Sequence, residues 1–121
     1  MPESEKKIAL VAGAAGGIGS ALCRKLDREG WRIALVGRTG EKLESLRNEF
    51  SDANAFEVDL TKSADVESAL QAISERVGVP NAVAHCVGSI LLKPAHLLSD
   101  DEWRRTLEVN LDSAFYLLRG V

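Results

Sequence analysis

One stretch limits what this chain can fold into: Lys7–Gly19, KIALVAGAAGGIG. An apolar run from Ile8 to Ala12 meets glycines at positions 13, 17 and 19. Ile18, Leu22 and Leu26 then follow about one helical turn apart. The pattern reads as buried strand, tight turn, helix. Glycine suits such a turn because a Cβ would obstruct its backbone conformations and close approaches. A helix starting near Gly17 aims its unpaired N–H groups and positive dipole end at the turn, which favours a bound phosphate. The turn is therefore expected to cradle a pyrophosphate. The competing reading is a Gly-rich βα loop with no ligand.

Size and charge exclude several classes. The 121 residues fit one small domain, and the formal net charge of −3 comes without a basic patch, so no nucleic-acid partner is expected. The longest uncharged run, Ile8–Cys23, is too short and too Gly-rich to span a bilayer. The N-terminal MPESEKK lacks the apolar core of a signal peptide, so no membrane association and a cytoplasmic location are expected. Cys23 and Cys86 are then small apolar residues rather than a disulfide. No Cys/His cluster has metal spacing, and no metal site is expected.

Beyond the turn, strand-like and helix-like segments alternate. Strands are expected at Lys7–Ala12, Arg32–Gly37, Ala55–Val58 and Ala82–Val87. The first three helices are expected at Gly17–Glu29, Glu41–Phe50 and, from an N-cap at Ser63, through to Val77. Gly30 suits the left-handed position after the first helix. A fourth helix opens with a Ser99/Glu102 capping box and a Leu98–Trp103 staple, and its apolar positions include Trp103, Leu107, Leu111, Ala114 and Leu118. Four β-α repeats with nearly continuous apolar strands imply an α/β fold. Its parallel sheet is doubly wound with strand order 3-2-1-4, and strand four is left as an open edge.

That frame gives chemistry to particular residues. The end of strand two lies beside the adenosine ribose in such folds, where an acidic residue would bind the 2′-hydroxyl of NAD. Here Gly37 leaves space, Arg38 offers a planar cation for a 2′-phosphate, and Thr39 adds a hydroxyl, so NADP is expected over NAD. Asp59 can accept from the adenine amino group while Leu60 packs on the ring; alternatively Asp59 only caps its turn. His85, Cys86, Val87 and Gly88 end strand four, and Gly88 lets a cofactor ribose approach the backbone. His85 reads better as a hydrogen-bonding residue of the core than as a catalyst, and His96 has less support still. Asn110, seven residues after Trp103, is expected to be partly buried and to tie helix four to the neighbouring strand or to hold a water. The expected cofactor-binding set is Gly13, Ala15, Gly16, Gly17, Ile18, Gly19, Arg38, Thr39, Asp59, Leu60, Cys86, Val87 and Gly88.

With these residues placed, the chain resembles the classical short-chain dehydrogenase/reductase family from about Lys6 to Val121. Gly13-x-x-x-Gly17-Ile18-Gly19 matches the family's cofactor loop, with Ala12 where threonine is usual. Arg38 after Gly37 is similar to the NADP-preferring subgroup, Asp59-Leu60 to the adenine-contacting pair, and Val109-Asn110-Leu111 to the segment carrying the catalytic tetrad's asparagine. The family's Asn-Asn-Ala-Gly is here His85-Cys86-Val87-Gly88. The resemblance implies a Rossmann fold and NADP(H)-dependent hydride transfer to or from a small carbonyl or alcohol compound. Within it, Asn110 anchors a water in a proton relay with Ser, Tyr and Lys. Neither that Ser nor the Tyr-x-x-x-Lys pair is found here; Tyr116 is followed at position 120 by glycine. The expectation is that residues 1–121 form the N-terminal part of a single dinucleotide-binding domain, truncated after the fourth helix and inactive alone. Family members commonly pair through the helix-four surface, so a homo-oligomer using Leu107, Phe115 and Leu118 is expected. The alternative is a non-catalytic nucleotide-binding or interaction module completed by another subunit.

Overall fold

In the computed structural model, residues 6–121 are described. Four parallel strands, β1 (Ile8–Ala12), β2 (Arg32–Gly37), β3 (Ala53–Glu57) and β4 (Ala82–His85), form one sheet in the order β3-β2-β1-β4. The expected order is thus realised. Every β1 residue is buried, as it must be in a strand paired on both edges and covered on both faces.

The helices divide between those faces. On one, α1 (Gly17–Arg28) and α2 (Gly40–Arg47) cover a core containing Val11, Cys23, Ile33, Leu35, Leu43 and Leu46. On the other, α3 (Ser63–Arg76) and α5 (Ser113–Gly120) cover Leu10, Ala34, Val36, Phe56, Val66, Ile73 and Leu117. Alternate residues of each inner strand feed opposite cores, the two-sided burial that a doubly wound sheet requires. Helix α4 (Asp100–Leu107) runs into α5 through a π-turn at Glu108–Asp112.

The helix ends follow their sequence signals. Gly30 has φ +85°, the Trp31 N–H reaches Leu26 O, and the Gly30 N–H reaches Asp27 O, which together close α1 with a Schellman motif. The capping box of α4 is complete: Ser99 Oγ accepts from the Glu102 N–H, and Glu102 Oε1 accepts from the Ser99 N–H.

Several boundaries and one face differ from expectation. Strand β3 starts two residues early because Asp52 O already accepts from the Ile33 N–H. Helix α2 stops at Arg47, although Phe50 still packs on the core. Ser63 is the first residue of α3 rather than its cap; Lys62 is the N-cap, and Ser63 Oγ accepts from Arg119 Nη2 instead. Strand β4 ends at His85 because the chain departs from the sheet there, after one last bond from the Cys86 N–H to Ala12 O.

The expected stripe of helix four is displaced. Trp103, Leu111 and Leu118 are exposed, while Ser113 and Leu117 are buried. The π-turn is the cause: one extra residue per turn rotates everything after it by about 100°. Trp103, 57% exposed, does not serve as a core staple. Asn110, expected to be partly buried, is exposed on the π-turn for the same reason. Ile18 departs too: Leu22 and Leu26 pack on the core, but Ile18 stands 79% exposed at the helix start.

Candidate functional site

The carboxyl ends of β1, β2 and β4 open into a cleft of about 400 Å³. Its first wall is the Gly-rich turn. Gly13 has φ +76°, and a Cβ there would lie 2.7 Å from the Cys86 carbonyl carbon. A Cβ on Gly19 would run into the Gly13 carbonyl. Packing alone therefore demands glycine at both positions. Gly17 differs, because a Cβ there would meet nothing within 4 Å. The turn is fixed by bonds from the Gly13 and Ala14 N–H groups to Val36 O and from the Gly16 N–H to Gly13 O.

This wall fits a phosphate. Gly16 is the N-cap of α1, no side chain caps the helix, and its first turn holds no acidic residue. The amides of a twelve-residue helix and its positive end thus face the turn with no carboxylate to compete. Open space over Gly17 allows a ligand close to the backbone.

The second wall comes from β2 and the loop after β3. Gly37 and Arg38 line the cleft, and among the described residues the exposed Arg38 forms no ion pair. Asp59, Leu60 and Thr61 lie in the same lining. Thr61 donates to Asp59 Oδ1 through its N–H at 3.0 Å and its hydroxyl at 2.6 Å, so the carboxylate does cap its own turn. The Thr61 hydroxyl bond holds the Asp59 carboxyl below its ordinary range, against a smaller opposing effect of burial; Lys62 and Arg105 assist.

The third wall is the end of β4 with α4 and the π-turn. Cys86, Val87, Gly88 and Ser89 line it from the loop, and Arg105, Val109 and Ser113 from the helix. Asn110 clamps the two parts. Its Oδ1 accepts from the Ser89 N–H at 3.0 Å, and its Nδ2 donates to Ser89 O at 3.1 Å and Thr106 O at 2.9 Å. A Cβ on Gly88 would lie 3.1 Å from Asn110 Oδ1, so glycine at 88 makes room for the clamp. His85 lies behind this wall, its Nε2 2.9 Å from Ser113 Oγ, and burial lowers its pKa from 6.5. It is a hydrogen-bonding residue of the core, as the sequence suggests. Cys23, buried beneath the turn, has its thiol pushed up to about 12 by burial and by nearby Cys86, and stays protonated.

The cleft gathers Gly13, Gly16, Arg38, Asp59, Leu60, Cys86, Val87 and Gly88 of the expected set. Gly17, Ile18, Gly19 and Thr39 lie outside its lining, and Ala15 faces a neighbouring hollow between α1 and α2 with Arg24 and Lys42. Thr61, Ser89, Arg105, Val109 and Ser113 are additions that sequence reasoning missed. Thr61, two residues after Asp59, carried an Asx-turn signal that would have found it. Among the described residues no three His, Cys, Asp or Glu side chains converge as a metal site, and no helix is long and apolar enough to cross a membrane.

A parallel sheet whose Gly-rich first turn opens a cleft at the strands' carboxyl ends is the architecture of dinucleotide-binding α/β domains. The chain belongs to the short chain dehydrogenase family, whose profile matches residues 7–121. It is 37% identical over 121 residues to the 2,3-dihydro-2,3-dihydroxybenzoate dehydrogenase of Bacillus subtilis, covering 97% of this chain and 46% of that protein. It is 34% identical over 119 residues to the D-threitol dehydrogenase of Mycolicibacterium smegmatis, covering 95% and 46%. Among solved structures, an actinorhodin polyketide ketoreductase with NADPH superposes with a TM-score of 0.94 at 27% identity, over 99% of this chain and 48% of that one. An alcohol dehydrogenase from the archaeon Thermococcus sibiricus, complexed with 5-hydroxy-NADP, superposes at 0.89 with 31% identity, over 96% and 52%. The chain spans about half the length of the curated relatives it matches.

Proposed function

We propose that this chain is the cofactor-binding part of an NADP(H)-dependent oxidoreductase acting on a small carbonyl or alcohol compound. The observation that carries the reading is Arg38. It lines the cleft at the end of β2, is exposed, forms no ion pair with the described residues, and follows a glycine where an NAD-selective fold needs a carboxylate. A planar guanidinium there matches a 2′-phosphate. The uncapped start of α1 would hold the pyrophosphate, Asp59 and Leu60 the adenine, and Cys86, Val87 and Gly88 the nicotinamide ribose. The bound cofactor would supply or accept the hydride. Asn110, as the single tetrad member in this chain, would carry a water toward a Ser, Tyr and Lys outside residues 1–121. Residues 1–121 alone would bind cofactor without turnover.

The family names support this reading, since one superposed relative carries NADPH and another an NADP analogue. A cytoplasmic location fits a cofactor of the cell interior and two free cysteines. Exposed Leu111, Phe115 and Leu118 on the outer side of the π-turn and α5 support pairing of two copies there.

The experiment is the affinity of the complete protein for NADPH and NADH. NADPH should bind tighter, and Arg38→Ala should weaken NADPH by about 10- to 100-fold, the loss of one charge-assisted bond pair, while leaving NADH nearly unchanged. Equal affinities in the wild type would remove the NADP assignment.

A further inference from the structure

Ser113 is the one buried polar side chain of the described core, fully removed from solvent. Its Oγ lies 2.6 Å from Val109 O and 2.9 Å from His85 Nε2. A carbonyl can only accept, so the hydroxyl proton goes to Val109. The oxygen must then accept from the imidazole, which requires a hydrogen on Nε2. Ala12, the register partner of His85 on β1, offers no side-chain donor or acceptor to compete.

This pair sits at the exit of the π-turn. In an α-helix the Ser113 N–H would bond Val109 O, four residues back. Here it reaches Glu108 O, five back, and the Ser113 hydroxyl bonds Val109 O instead. The hydroxyl thus stands in for the amide that the π-turn diverts. Orientation of that hydroxyl falls to His85, on β4. The same π-turn carries Asn110, whose side chain grips Ser89 in the loop that β4 leads into.

We infer that His85 is a positioning residue: its Nε2–H, through the Ser113 hydroxyl, holds the π-turn register that brings Asn110 onto Ser89 at the cleft. The hydrogen-bond chain runs His85 Nε2–H to Ser113 Oγ–H to Val109 O. An α-helical register would rotate Asn110 by about 100° and release Ser89. The reach of the donor matters. A glutamine at 85 places an amide N–H near the position of Nε2, whereas an asparagine stops near Nδ1 and falls short of Ser113.

The test uses the complete protein with two readouts that need no substrate. Imidazole ¹⁵N shifts should report the Nε2–H tautomer of His85. Hydrogen exchange of the Ser89 amide, which donates to Asn110 Oδ1, should accelerate about tenfold or more in His85→Ala, His85→Asn and Ser113→Ala, yet stay within about threefold in His85→Gln. An Nδ1–H tautomer in the wild type overturns the inference. So does unchanged Ser89 protection in His85→Asn, the variant that serves where His85→Ala does not fold. A third readout rests on the proposed reductase activity: His85→Asn should lower kcat about tenfold with the NADPH KM within about threefold, and His85→Gln should restore it. Equal losses in His85→Asn and His85→Gln would assign His85 to packing and end the inference. A wild type with no NADPH turnover would end the reductase reading and leave the tautomer and exchange results to decide the role of His85.

Discussion

The two sides of the cleft are held in place by different means. The Gly-rich side is set by backbone: Gly13 lies against the Cys86 carbonyl, Gly19 against the Gly13 carbonyl, and the turn hangs from Val36 O by two N–H bonds. The β4–helix side is set by side chains: Asn110 on Ser89, His85 on Ser113, Lys93 and Ser99 on Glu102. A backbone-built wall tolerates almost no substitution, because a Cβ meets atoms that cannot move away. A wall built from side chains can be loosened one bond at a time.

The largest effect should come from Gly19→Ala. The new Cβ would sit against the Gly13 carbonyl and 3.0 Å from Ala14 Cα, both backbone. Overpacking of this kind should cost roughly 3 kcal/mol in chemical denaturation and weaken NADPH on the order of 100-fold. Near-wild-type stability would show that the turn yields more readily than its contacts imply. Gly17→Ala sharpens the same comparison. Its Cβ meets nothing within 4 Å and Gly17 does not have a positive φ, so stability should hold or rise by about 0.5–1 kcal/mol. NADPH affinity should nevertheless fall about tenfold, because the methyl occupies the space a phosphate needs. If Gly17→Ala binds NADPH as well as the wild type, the pyrophosphate does not lie over Gly17.

The same division explains what the sequence reveals. Glycines at 13 and 19 are backbone requirements written as residue types, so the turn, β1 and α1 are legible within a few positions. The strand order follows from apolar runs alternating with helical stripes, and Gly30 marks its left-handed turn. The π-turn is different. Nothing in Glu108–Asp112, EVNLD, departs from a helical pattern, so a regular stripe through Trp103, Leu111 and Leu118 is the natural reading, and it is wrong. The device that holds the turn pairs residues 28 apart, His85 and Ser113, and no local signal joins them. Asn110 stands out as an amide among apolar neighbours. Its exposure and its grip on Ser89 depend on the rotation that the π-turn introduces.

On the side-chain wall, Asn110→Ala removes both ends of the Ser89 clamp and the bond to Thr106 O. These groups are exposed and water can replace each bond, so the loss should be only about 1 kcal/mol in urea denaturation. A loss like that of Gly19→Ala would mean that the two walls do not differ as the contacts indicate.

The smallest effect separates the walls by pH. Glu102 accepts from Lys93 Nζ at 2.8 Å and from the Ser99 N–H at 3.0 Å, and these contacts, Lys93 foremost, hold its carboxyl at about 2 against an ordinary 4.5. A depressed folded-state pKa means that this clamp adds stability fully above pH 4.5 and loses it as pH falls toward 2. The Gly-rich turn, Gly13–Gly19, has no titratable side chain. In an acid titration followed by NMR, the Ser99 amide should therefore move with a midpoint of about 2 while the Gly13 and Gly16 amides stay in place. Lys93→Met should raise the Ser99 midpoint only part of the way to 4.5, because the Ser99 N–H still bonds the carboxylate. Coincident movement of Ser99 and Gly13 would show one cooperative unit, in which the loop clamp and the turn open together rather than as a side-chain wall facing a backbone one.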